Sequence, residues 1–310
     1  MPDEHVSTGP DADDRFDAIV QGLAYARRSP VLHWPAEAGL EWEDVVFPSM
    51  DGVPLEGWFI PRAGSDRLVI CAHPLGFSRA GFPSHLEPWK SAFGPGNDYE
   101  LNFIPDYKTL YEAGYNVLAY DFRNFGHSGA ANSGLQSNNR FEARDVVGSL
   151  AYVRSRADLA AMKLGLFSRC MGANATFRAY SMYPDAFSDV RCLVAPLLLS
   201  ARVALERMLG GAGFGERVDE AAERQRQITG TPPDEVSPVE WAAAVDVPTL
   251  TYGVRDDAIT RPSDLETIYA AIAAGDKEMF WIDSAARWDG YTLFQRHPAR
   301  ILAWFDRFLR

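Results

Sequence analysis

MKLGLFSRCMGANAT, residues 162–176, is the stretch whose reading decides the architecture. Its first half, MKLGLF, is a short apolar run of the kind that forms a strand buried on both faces. Its second half, MGANAT, begins a run that continues to Tyr180 with small and apolar residues at helical spacing. Only Ser168, Arg169 and Cys170 separate the two, so the chain must turn sharply from strand to helix. Small residues, Ser168 and Gly172, stand two places either side of Cys170, as a crowded turn demands. A side chain at the centre of such a turn is thrust out beyond the end of its strand.

Working outward, the same kind of strand recurs. RLVICAH (67–73), YNVLAYD (115–121), RCLVAP (191–196), PTLTYG (248–253) and EMFWID (278–283) are apolar runs. Helical segments are expected between most of them, near 106–113, 140–156, 171–183 and 263–274, with a last one at 297–309. Such alternation means a mostly parallel sheet covered by helices on both faces. Ahead of it, 43–47 and 54–60 read as two strands of a hairpin about Asp51-Gly52. Residues 1–14 read as a tail, and a helix is expected from Asp14 to Arg28, stopping before Ser29-Pro30. Two stretches interrupt the alternation, 77–105 and 199–245, the second containing LGGAGFG and TGTPPDE. Both leave the C-terminal edge of the sheet, where open α/β folds bind ligands, and long ordered insertions there shape pockets.

With these residues in place, the 162–176 segment resembles the nucleophile elbow of the α/β-hydrolase superfamily, with Cys at its centre as in dienelactone hydrolases. Ser168 stands where that family more often has Gly. The resemblance implies an α/β-hydrolase fold over residues 41–310, with an eight-stranded sheet, an insertion at 77–105 and a small cap at 199–245, preceded by a tail and helix over 1–40. It further implies that Cys170 is the nucleophile. CAHPLG (71–76) is similar to the family's oxyanion loop. Pro74 has no N–H, so the N–H groups of Leu75 and Met171 are the candidate oxyanion donors. YDFRNFGHSG (120–129) is similar to a stretch that is mostly structural in the family. The acid position falls in GVRDDAIT (253–260), which leaves Asp256 and Asp257 open, with a slight preference for Asp257.

The family's general base is missing. WIDSAARWDGYTLF (281–294) has Arg287 and Trp288 where a histidine should be. Arginine stays protonated and cannot carry the proton; Arg287 would instead favour the thiolate, hold a substrate carboxylate or enolate, or make a surface ion pair. His73 is the foremost substitute base, ahead of His127, His85 and His297, although in the family its counterpart supports the loop. Substrate contacts are expected from His127, Trp288, Phe77 and Tyr291. Tyr291 is also a weaker acid/base candidate. The aromatics Phe77, Phe82, Trp89, Phe93, Tyr99 and Phe103 suggest a bulky apolar ligand, although aromatics equally build cores.

Composition bounds these readings. The chain has 310 residues, 47% of them apolar, which suffices for a large core. A formal charge of −12 argues against nucleic-acid and anionic-membrane partners. Cys71, Cys170 and Cys192 show no CxxC or zinc spacing, which fits a reduced, cytoplasmic protein without metal or cofactor. No secretory signal pattern opens the chain, and no apolar run approaches the roughly 20 residues of a membrane helix. Three functions remain: a cysteine hydrolase or acyl-transfer enzyme on an ester, lactone or thioester; a lyase, cyclase or isomerase on the same scaffold; or a binding protein without turnover.

Overall fold

The computed structural model describes residues 10–25, 27–92 and 96–310. Phe93 and the first nine residues of the expected tail lie outside the described residues. The strands are β1 (Glu43–Pro48), β2 (Pro54–Ile60), β3 (Arg67–Ala72), β4 (Gly81–Phe82) and β5 (Leu101–Asn102). They continue with β6 (Asn116–Tyr120), β7 (Lys163–Ser168), β8 (Val190–Val194), β9 (Thr249–Val254) and β10 (Lys277–Ile282). The helices are α1 (Pro10–Ala24), α2 (Ile104–Glu112), α3 (Glu142–Ser155), α4 (Met171–Met182) and α5 (Ala201–Gly211). After them come α6 (Val218–Thr229), α7 (Pro238–Ala242), α8 (Pro262–Ala271), α9 (Arg287–Arg296) and α10 (Ala299–Leu309).

Eight strands form one sheet in the order β1-β2-β6-β3-β7-β8-β9-β10. Strand β2 pairs antiparallel with both neighbours, and the other pairs are parallel. Alternation within each strand divides the core in two. Leu68, Ile70, Leu164 and Leu166 pack with α3, α4 and α8 on one face. Val69, Cys71, Phe167 and Cys192 pack with α2, α9 and α10 on the other.

The hairpin, the six parallel strands and the helices α2, α3, α4 and α10 fall within one or two residues of their expected positions, α8 ends three residues early, and α9 lies where no helix was expected. The first helix is shifted. It runs four residues earlier at each end than expected, so residues 10–14 are helical rather than tail. Pro10 is suited to a first helical position, and the helix ends where Tyr25 leaves it to bridge Leu135. Phe16 and Val20 of α1 pack on Leu205, Leu209, Phe214 and Val218 of the 199–245 insertion. The 77–105 insertion carries the short β4–β5 ladder. Among the described residues, no helix is long and apolar enough to cross a membrane.

The register places the chemistry. Ala72 at the end of β3 lies opposite Ser168 at the end of β7. The 73–75 loop and the 169–171 turn therefore leave the sheet side by side. The turns after β8, β9 and β10 open at the same edge.

Candidate active site

Cys170 adopts φ 52° and ψ −114° between β7 and α4. A non-glycine residue in so sparse a region costs about 1–3 kcal/mol and persists only where its surroundings enforce it. Here they do. Arg169 N donates to Ala72 O at 3.0 Å and Cys170 N donates to Pro196 O at 3.0 Å. Asn174 N donates to Cys170 O at 2.9 Å, which is the first turn of α4. A Cβ on Gly172 would meet His73 O at 2.9 Å and Ala72 Cβ at 3.0 Å, so only glycine fits there. Ser168 is accommodated because its hydroxyl accepts from Thr176 Oγ1 at 2.9 Å.

Arg287, the first residue of α9, reaches this sulfur. Its Nη2 donates to Cys170 Sγ at 3.3 Å and to Leu197 O at 3.0 Å. Its Nη1 is ion-paired with Asp257, and its Nε donates to Tyr291 Oη at 3.1 Å. Cys170, Arg287 and Asp257 are 7%, 3% and 1% exposed, so water screens these contacts little. Burial opposes the guanidinium's charge. Asp257, Tyr291 and Cys170 outweigh it and raise the Arg287 pKa well above its usual value. Burial, and then the neighbouring sulfur, raise Tyr291 well above an ordinary phenol, although Arg287 pulls the other way. Tyr291 is thus a neutral hydroxyl beside the sulfur.

The arrangement has the outline of a nucleophile–base–acid triad with a guanidinium in the middle. It can hold negative charge on sulfur. It cannot relay a proton through its central member, which never gives one up.

The two candidate carboxylates separate cleanly: Asp257 is buried against Arg287, and Asp256 is exposed. His73 requires correction as a base. Its Nε2 accepts from Phe122 N at 3.0 Å and its Nδ1 meets Pro74 O at 2.7 Å. Both ring nitrogens are engaged with backbone, and burial lowers its pKa. It braces the loop and has no nitrogen left for the sulfur. His127 is corrected likewise: it is half-exposed, and its Nδ1 lies 3.0 Å from Glu56 Oε1. His85 stands on the surface near Glu100, and the exposed His297 ends α9 rather than belonging to the final helix.

Leu75 N and Met171 N, at the loop after β3 and the start of α4, are left out of the backbone hydrogen bonds among the described residues. Phe77, Trp288 and Tyr291 are buried together: the Phe77 ring lies 4.5 Å from Phe82 and 5.1 Å from Tyr291. Trp288 Nε1 donates to Ser84 Oγ at 3.0 Å, and Asn97 Oδ1 accepts from Trp288 N at 3.0 Å. The aromatic insertion thus closes over the site and packs its own rings there. A cavity of about 350 Å³ lies elsewhere, lined by ion-paired residues including Arg202, Glu206, Asp219 and Arg261.

Two participants were not anticipated from the sequence. Leu197 holds φ 62°, and its carbonyl grips Arg287. Nothing in the apolar run APLLLS marks it, since the contact uses backbone. Behind the elbow, Arg169 and Asp106 form a buried ion pair, with burial pushing Asp106 up to about 7 against the pull of Arg169. Among the described residues, no cluster of His, Cys, Asp and Glu could hold a metal ion.

No family model matches the chain. It is similar to an uncharacterised protein, YfhR, of Salmonella typhi, at 24% identity over 270 residues, covering 83% of this chain and 77% of that one. An esterase of Pyrococcus furiosus superposes with a TM-score of 0.72 at 20% identity, covering 93% of this chain and 99% of that one. A dienelactone hydrolase of Anabaena variabilis gives 0.55 at 17% identity, over 87% and 99%. The sheet order, the elbow and these likenesses together give the chain an α/β-hydrolase fold.

Proposed function

We propose that this protein is a thiol-dependent hydrolase or acyl-transfer enzyme acting on an ester, lactone or thioester of a small apolar molecule. The observation that carries the reading is the 3.3 Å contact between Arg287 Nη2 and Cys170 Sγ, with Asp257 fixing the guanidinium from behind. A thiolate held beside a permanent cation needs no base to attack a carbonyl carbon. The new S–C bond pushes charge onto the carbonyl oxygen, where the N–H groups of Met171 and Leu75 receive it. Collapse expels the leaving group. Arg287 cannot protonate that group, and the hydroxyl beside the sulfur, that of Tyr291, is a weaker acid than an ordinary phenol. Good leaving groups are therefore favoured: thiolates, enolates and phenolates. Water or a second acceptor then releases the acyl group and restores the thiolate. That second step is slow, because no imidazole activates the water.

Mixing with p-nitrophenyl acetate tests the reading. The expected result is a burst of one p-nitrophenolate per chain followed by slow turnover. Steady release without a burst, unchanged in Cys170→Ala, would refute it. A non-hydrolytic reading has one feature in its favour: a fixed guanidinium and two N–H donors can hold an enolate during a lyase, cyclase or isomerase step that never uses the thiol. A binding protein without turnover is the remaining outcome, reached if no substrate class reacts at all.

A further inference from the structure

We infer that Cys170 is also a peroxidatic thiol, reducing a small hydroperoxide to its alcohol, or hydrogen peroxide to water, while becoming a sulfenic acid. The inference rests on the same Cys170–Arg287 pair as the acyl transfer, but it needs neither an oxyanion hole nor a base.

Three features point this way. First, the three thiols of the chain differ. Cys71 and Cys192 sit inside β3 and β8, and burial pushes each up to about 12. Cys170 alone has a guanidinium hydrogen on its sulfur. Second, the absence of an imidazole costs this chemistry little. A thiolate attacks the terminal oxygen of a hydroperoxide in one displacement, whereas ester turnover must also activate water. Third, the site is nearly closed by Phe77, Trp288 and Tyr291, and Cys170 is 7% exposed. A substrate of two oxygens and a small alkyl group suits that access better than a bulky ester.

The step balances. The sulfur lone pair forms an S–O bond to the terminal oxygen as the O–O bond breaks. Sulfur is oxidised by two electrons and the peroxide is reduced by two. The departing alkoxide or hydroxide takes a proton from the Tyr291 hydroxyl, which solvent restores. Tyr291 accepts from Arg287 Nε, so its own hydrogen remains available on the sulfur side. The other two cysteines are buried in strands, so an external low-molecular-weight thiol returns the sulfenic acid to thiol, by way of a mixed disulfide.

The test treats the reduced full chain with one equivalent of hydrogen peroxide and traps sulfenic acid with dimedone before peptide mapping. The expected adduct is on Cys170 and absent from Cys71 and Cys192. Tyr291→Phe should slow trapping about tenfold or more, as loss of a positioned proton donor does. Arg287→Gln paired with Asp257→Asn removes the cation without leaving a buried charge alone, and should slow it at least as much; circular dichroism confirms that both variants fold. Trapping of Cys170 no faster than of N-acetylcysteine, or equal trapping of all three thiols, would overturn the inference. A parallel p-nitrophenyl acetate reaction separates the two readings. Oxidation without acylation keeps this inference and removes the acyl reading; acylation without oxidation removes this inference alone.

Discussion

Under the proposed function, Cys170 and Arg287 have separable roles, and substitutions divide them. Serine at position 170 keeps the shape, but a guanidinium cannot ionise an alcohol, so Cys170→Ser should lose all detectable acylation by p-nitrophenyl acetate while keeping its Tm. Arg287→Ala leaves the Asp257 carboxylate buried without its cation, held by the Ile259 N–H. Breaking such a pair costs about 3–5 kcal/mol, which a shifted urea midpoint would register. The elbow cysteine could be read from sequence because its neighbours obey a spacing rule: Ser168 and Gly172 flank it within a strand–turn–helix pattern. That an arginine, Arg287, follows the last strand could be read too. That Arg287 touches the sulfur could not, because the contact joins residues 117 positions apart and is aimed by the carbonyl of Leu197. His73 misled for a related reason: its two partners are backbone groups, which residue types do not reveal.

At the scale of elements, the elbow depends on α4 lying against the end of β3. Gly172→Val places carbon atoms against the His73 carbonyl and Ala72, neither of which can move without unpairing a strand. Overpacking of that kind costs about 1–3 kcal/mol, and it should also slow acylation by tilting Cys170; both are read from one purified variant. Ahead of β1, His33 lies between Glu37 and Glu100, tying the N-terminal segment to the 77–105 insertion. Burial opposes its charge, but hydrogen bonds to the two carboxylates prevail and raise its pKa. A raised folded value means stabilisation that is complete below the unfolded pKa of about 6.5 and lost as pH rises through the folded value. Stability of wild type relative to His33→Gln should therefore be greatest in mild acid and shrink above neutrality, as thermal melts across that range would show. Buried parallel strands were easy to read, being short near-continuous apolar runs. The first helix was displaced because its end is set by the Tyr25–Leu135 bridge, a tertiary contact.

Across the whole molecule, buried charge clusters pin the N-terminal hairpin to the sheet. Asp51 is held below the usual carboxylate range: burial opposes this, and Arg123, Arg144 and Ser49 prevail. Glu56 is lowered in the same way, burial being outweighed by Arg79 and then His127. Depressed folded values give stability that is present above the unfolded carboxylate range and lost as pH falls through them. Tm should drop steeply below about pH 4, and the Asp51→Asn variant should start lower and fall less. The mostly parallel sheet and its helices on both faces followed from pattern, whereas the strand order comes from pairing and the closure of the site by the 77–105 insertion depends on rings that pack together across sequence. The account stands on Cys170 as the reacting atom. Intact-mass analysis of wild type and Cys170→Ala, quenched during reaction with p-nitrophenyl acetate, tests this most directly. The account predicts one acetyl group per wild-type chain and none on the variant. An unmodified wild-type chain, or an equally acetylated variant, would contradict it.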